Sequence, residues 1–124
     1  MENKIRTICI FGDSITWGAY DPENGGWANL LRNDLESKDI HVYNCGVSGD
    51  NTDDLLKRFK VESEAREPDA VMFAIGINDS QYTGERQNSR VPKEKFISNL
   101  EKLISQTKET TDKIIFVGLN HVEE

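Results

Sequence analysis

Apolar positions along the chain change their period several times, and each change marks an element. Thr7-Ile8-Cys9-Ile10-Phe11 is an unbroken apolar run closed by Gly12, the pattern of a strand buried on both faces. After the breaker pair Gly25-Gly26, Trp27, Leu30, Leu31 and Leu35 recur at helical spacing. Residues 40–45 alternate and are rich in β-formers, which reads as a strand near a sheet edge. Thr52 followed by Asp53 and Asp54 marks a helix start, with carboxylates facing the positive end of the dipole. Leu55, Leu56 and Phe59 supply that helix's buried side.

Pro68 interrupts, and residues 70–75 follow as the most hydrophobic strand-like run. The polar, Gly-containing stretch 80–90 reads as a long loop. Pro92 suits a first helical turn, and Phe96, Ile97, Leu100, Leu103 and Ile104 then outline one helix face. Residues 114–117 form a fourth buried-type strand. The order β-α-β-α-β-α-β predicts an α/β fold, a parallel sheet with helices on both sides. Ligand sites in such sheets lie beyond the carboxyl ends of the strands, where the strand order reverses.

Composition narrows the function. A length of 124 residues suits one domain, and no apolar run approaches the ~20 residues that cross a bilayer. The N-terminus lacks the pattern of a secretory signal, so the expected location is cytoplasmic. Net charge is −7 without any basic cluster, which argues against nucleic acid as a partner. Cys9 and Cys45, far apart and in apolar segments, read as two reduced core thiols.

The strand ends carry the chemistry. Gly12-Asp13-Ser14-Ile15 follows the first strand, Gly46-Val47-Ser48-Gly49-Asp50 the second, and Gly76-Ile77-Asn78-Asp79 the third. A serine at a strand-to-helix turn projects its hydroxyl into a cleft. Such a nucleophile needs a base to take its proton and N–H donors to hold the oxyanion. Gly49 can offer a backbone N–H where a side chain would block approach, and Asn78 its amide. Ser14 also has a plainer role open to it, that of helix cap. Asp13 is read as holding the turn, Gly49 and Asn78 have turn and loop-bracing alternatives, and Trp27 is read as packing rather than as a substrate contact.

Gly12-Asp13-Ser14-Ile15, Val47-Ser48-Gly49-Asp50 and Gly76-Ile77-Asn78-Asp79 resemble three successive blocks of the GDSL, or SGNH, hydrolases, in their order and at their intervals. The resemblance runs from about Ile5 to the C-terminus. It implies a flavodoxin-like three-layer α/β/α fold. It also implies hydrolysis of small-molecule esters or thioesters without metal or organic cofactor. Ser14 would be the nucleophile, and the N–H groups of Ser14 and Gly49 with the Asn78 amide would form the oxyanion hole.

One block of that family has no match. Its base and aspartate form Asp-x-x-His after a fifth strand, whereas Lys38 precedes His41 by three residues and Gly118 precedes His121. The expectation is therefore a C-terminally incomplete single domain over 1–124, with four of five strands and impaired turnover. His121 is the one substitute base to consider, although a loop histidine is the plainer reading; His41 has no catalytic role. A fourth strand left as an open edge leads one to expect a homo-oligomer. Two other functions stand beside the esterase: a catalytically incompetent small-molecule-binding remnant, and a Mg²⁺-dependent phosphoryl-transfer enzyme using Asp13, Asp50 and Asp79.

Overall fold

A computed structural model describes residues 4–83 and 85–118, for 85–88 the backbone alone. The apolar run at the start becomes β1 (Thr7–Gly12), the central strand of a four-stranded sheet. It pairs in parallel with β2 (His41–Gly46) on one side and β3 (Ala70–Ala74) on the other. The last strand, β6 (Ile114–Phe116), adds in parallel to β3. The order β2-β1-β3-β6 reverses at β1, so the crevice expected of such sheets opens at the carboxyl ends of β1 and β3. The three-layer, flavodoxin-like expectation holds.

Alternation along β1 sorts its side chains between two cores. Cys9 and Phe11 face α3 (Thr52–Arg66) and α4 (Lys93–Lys108), which bring Leu55, Phe59 and Leu103. Phe11, Phe59 and Phe73 pack there with ring centroids 4.8 to 6.1 Å apart. Each such buried side chain contributes about 1.5–3 kcal/mol. On the opposite face Ile10 and Val42 meet α2 (Trp27–Glu36) through Ala28, Trp27, Leu31 and Leu35. Cys9 and Cys45 are buried free thiols, as expected. The hydrogen bond with Cys45, and burial after it, push the Cys9 thiol well up, which keeps it protonated.

Several expectations need correction. Part of the stretch read as a loop over 80–90 is a small antiparallel ladder, β4 (Tyr82–Thr83) with β5 (Glu85–Ser89). Tyr82 and Thr83 in it are exposed, so β4 shows none of the apolar alternation that marks a half-buried strand. Leu30 and Ile97, counted on buried helix faces, point outward. On α4 the fully buried positions are Asn99, Leu103 and Thr107, a stripe that mixes polar with apolar. The helix start read at Thr52 holds, since Thr52 is the first residue of α3, and Asn51 before it closes a reciprocal capping box with Asp54. The outer edge of β6 has no strand neighbour among the described residues.

Candidate active site

The site begins where β1 stops. Gly12 is packed so closely that a Cβ there would collide with Thr16 and with the Ala74 carbonyl oxygen. Asp13 caps the single helical turn α1 (Ser14–Trp17), its Oδ1 accepting the Ile15 N–H at 3.0 Å. Gly18, at φ 108°, ends the turn in the left-handed region and donates its N–H to the Ser14 carbonyl. Ser14 thus opens a turn fixed at both ends and is half-buried. Asp13 holds the turn, the role read from the sequence.

The segment after β2 is tied to that turn. The Val47 N–H donates to the Gly12 carbonyl at 3.1 Å, and Asn44 Nδ2 donates to the Thr16 carbonyl at 2.9 Å. Gly49 has φ 85°, a conformation that L side chains rarely adopt, while the space around it is open. Backbone conformation therefore explains this glycine, and clearance from neighbouring protein atoms does not. Arg58 of α3 completes the tie. Its Nε lies 2.7 Å from Asp50 Oδ2, its Nη1 2.8 Å from Glu62, and its Nη2 donates to the Gly12 carbonyl at 3.3 Å.

The segment after β3 docks on the same residues. Asn78, 7% exposed, donates one amide N–H to the Asp50 carbonyl at 2.8 Å. An amide carries a second N–H, and it has no hydrogen-bond partner among the described residues. The Asp79 carboxylate, also buried, accepts the Thr52 N–H at 3.0 and 3.1 Å and the Thr52 hydroxyl. Hydrogen bonds therefore join the segments bearing Ser14, Gly49 and Asn78 into one rim at the carboxyl end of the sheet.

Burial pushes Asp13, Asp50 and Asp79 above the ordinary carboxylate range. The Ile15 N–H opposes that rise for Asp13, Arg58 opposes it for Asp50, and the Thr52 donors oppose it for Asp79. A cavity of about 370 Å³ opens at the same rim, walled by Ile15, Thr16, Trp27, Ile77 and Val117. Ser14 stands between two lining residues, Asp13 and Ile15; neither Gly49 nor Asn78 lines it. Trp27 packs on the α2 core, as read, and also borders this cavity.

His41 starts β2 opposite Thr7, at the far rim of the sheet. His121 lies outside the described residues. Asp13, Asp50 and Asp79 are each engaged by a different partner, and among the described residues no three His, Cys, Asp or Glu side chains gather as a metal-binding group. Nor is any helix among them long and apolar enough to cross a membrane. Sequence reasoning missed Arg58, Thr52 as a partner of Asp79, and Asn99. A usable signal for Asn99 was present: an amide four residues before Leu103, on the helix's buried stripe.

Comparison with known proteins bears on this rim. The GDSL-like Lipase/Acylhydrolase family model matches residues 10–123. YpmR, an uncharacterized protein of Bacillus subtilis, is 34% identical over 90% of this chain and 50% of its own length. An arylesterase of Vibrio mimicus is 30% identical over 90% of this chain and 54% of its own length. The chain thus spans about half the length of these curated relatives. Among solved structures, a catalytic mutant of Axe2, an acetylxylan esterase of Geobacillus stearothermophilus, is 28% identical, with a TM-score of 0.72 over 90% of this chain and 58% of that one. The SGNH-hydrolase-family esterase AlinE4, at 24% identity, shares the fold with a TM-score of 0.77 over 96% of this chain and 61% of that one.

Proposed function

The chain belongs to the GDSL-like Lipase/Acylhydrolase family, and on that premise we propose that it cleaves carboxylic esters by acyl transfer to Ser14. The Ser14 oxygen attacks the ester carbonyl carbon, and the carbonyl oxygen takes up negative charge as the carbon becomes tetrahedral. The N–H groups of Ser14 and Gly49 and the second amide N–H of Asn78 hold that charge. The alcohol then leaves, and water releases the acid from the acyl-serine.

One observation supports this reading above the others. The three segments that carry these donors are hydrogen-bonded to one another, through Val47 to Gly12 and Asn78 to Asp50. Donors braced against each other need little reorganisation as charge develops, which is the physical basis of oxyanion stabilisation. Ser14 still needs a proton acceptor. His41, the one histidine among the described residues, lies at the opposite rim and is not placed to take that proton. Axe2 is named for an acetylated substrate, and another relative, a Bos taurus protein 36% identical over 78% of this chain, for isoamyl acetate. Short acyl groups, acetyl first, are accordingly the proposed substrates.

The test combines hydrolysis of 4-nitrophenyl acetate with fluorophosphonate labelling read by mass spectrometry. Ser14→Ala is expected to lower the rate at least about 10³-fold and to abolish the adduct. An unchanged rate in that variant would overturn the assignment.

A further inference from the structure

We infer that Asn99 and Thr52 are positioning residues, which aim the Asn78 amide through the carboxylate of Asp79. The inference rests on the hydrolase reading, because it gives Asn78 something to aim at.

The direction of the hydrogen bonds carries the argument. Asn99 Nδ2 donates to Thr52 Oγ1 at 2.9 Å and to Asp53 Oδ1 at 2.9 Å. Having accepted from Asn99, the Thr52 hydroxyl gives its own proton to Asp79 Oδ2. Proton donation therefore runs one way, from Asn99 to Thr52 to Asp79, whose carboxylate accepts both the Thr52 hydroxyl and the Thr52 N–H. All three side chains are buried, at 2%, 0% and 3% exposure, so water does not replace a lost partner cheaply. The carboxylate also sits on the first turn of the 15-residue helix α3, whose positive end favours an anion.

This relay fixes a neighbour. Asp79 follows Asn78 directly in the chain, and the two grip the start of α3 at two points. Asp79 binds Thr52, while the Asn78 amide binds the carbonyl of Asp50. Two attachment points set a direction, whereas one permits rotation about itself. With the Thr52 hydroxyl removed, Asn78 keeps its bond to Asp50 and Asp79 keeps the Thr52 N–H, but the carboxylate loses its buried hydroxyl donor and the backbone behind Asn78 is held less firmly. Asn99 brings α4 into the relay, beside the ion pair of Lys95 Nζ with Asp53 Oδ2 at 3.1 Å.

Three variants of the whole chain test this: Thr52→Val, which removes the hydroxyl at nearly constant volume, Thr52→Ser, which keeps it, and Asn99→Leu. Thr52→Val is expected to lower kcat on 4-nitrophenyl acetate by about 10- to 100-fold, less than the ~10²–10³-fold of deleting a donor outright. KM should stay within about threefold, because ground-state binding is untouched. Thr52→Ser should recover kcat to within about threefold, and Asn99→Leu should lower it about 3- to 10-fold. Independently of turnover, hydrogen exchange of the 76–80 amides should speed up at least about tenfold in Thr52→Val, with β1 unchanged, and the Asn78 side-chain resonances should move. A serine variant no better than the valine, or exchange that rises equally in β1, would overturn the relay. A parent chain that neither turns over nor labels at Ser14 overturns the hydrolase reading instead, and the exchange data still decide whether the clamp exists.

Discussion

Two carboxylates flank β3, and they do the same mechanical job at opposite rims of the sheet. Asp69, just before the strand, accepts the Arg6 and Thr7 N–H groups at 2.9 and 3.0 Å and so sets β1 against β3. Asp79, beyond the other end, accepts the Thr52 N–H and hydroxyl and docks its segment on α3. Asp69 is half-buried, and one of its donors is exposed; Asp79 is 3% exposed and its donors are buried. The difference teaches where the chain tolerates an awkward ion. At the amino rim water shares the work, so the carboxylate is cheap. At the carboxyl rim burial pushes the Asp79 carboxyl towards its neutral form, and the cost is borne where the proposed donors must be held still.

The comparison sharpens with substitution, the largest effect first. Asn78→Ala removes a proposed oxyanion donor and should lower kcat on 4-nitrophenyl acetate about 10²–10³-fold, equivalent to about 2.7–4 kcal/mol. Loss confined to KM would remove Asn78 from the transition state. Next, urea unfolding should separate the two rims. Asp79→Ala leaves the Thr52 N–H and hydroxyl buried without their acceptor and should cost about 3 kcal/mol, against about 1 kcal/mol or less for Asp69→Ala, whose donors can turn to water. Equal losses would show that the two carboxylates are equivalent after all.

The smallest effect is a pH dependence. Burial raises the Asp13 carboxyl, with the Asp50 charge adding to the rise and the Ile15 N–H opposing it. A folded chain that holds this proton to higher pH than the unfolded chain is favoured below the unfolded value, about 3.9, and loses that advantage as pH climbs through the raised folded value. Asp13→Asn keeps a cap oxygen for Ile15 and carries no charge. It should be more stable than the parent at pH 7.5 in urea, with the gap closing as pH falls towards 4. A gap that widens on acidification would reverse the sign argued here.

Much of this was legible beforehand, for a reason that particular residues make plain. Ile8, Cys9, Ile10 and Phe11 sit in the middle of the sheet, where both faces demand apolar side chains, and the run announces a strand. Gly12 and Gly46 close β1 and β2 because the backbone there packs tightly, Gly76 lies just beyond β3 at a positive φ, and these glycines frame Ser14 and Asn78 in the sequence. The ladder of β4 and β5 was illegible because its exposed Tyr82 and Thr83 answer to backbone pairing and to no core. Ile97 looked buried by spacing, while Asn99 and Thr107 took inner positions because Asn99 meets Thr52 and Asp53 from another helix and Thr107 returns its hydroxyl to the Leu103 carbonyl.

Local pattern by itself determined the alternation of strands and helices and the identity of the segments at the strand ends, since period and turn chemistry act over a few residues. Only the tertiary structure decided that β2 and β3 flank β1, that Arg58 and Thr52 draw the three segments into one rim, and that Asp79 is buried with neutral donors. Those outcomes join residues 27 to 62 positions apart, and partners so distant leave no mark on the sequence until the chain has folded around them.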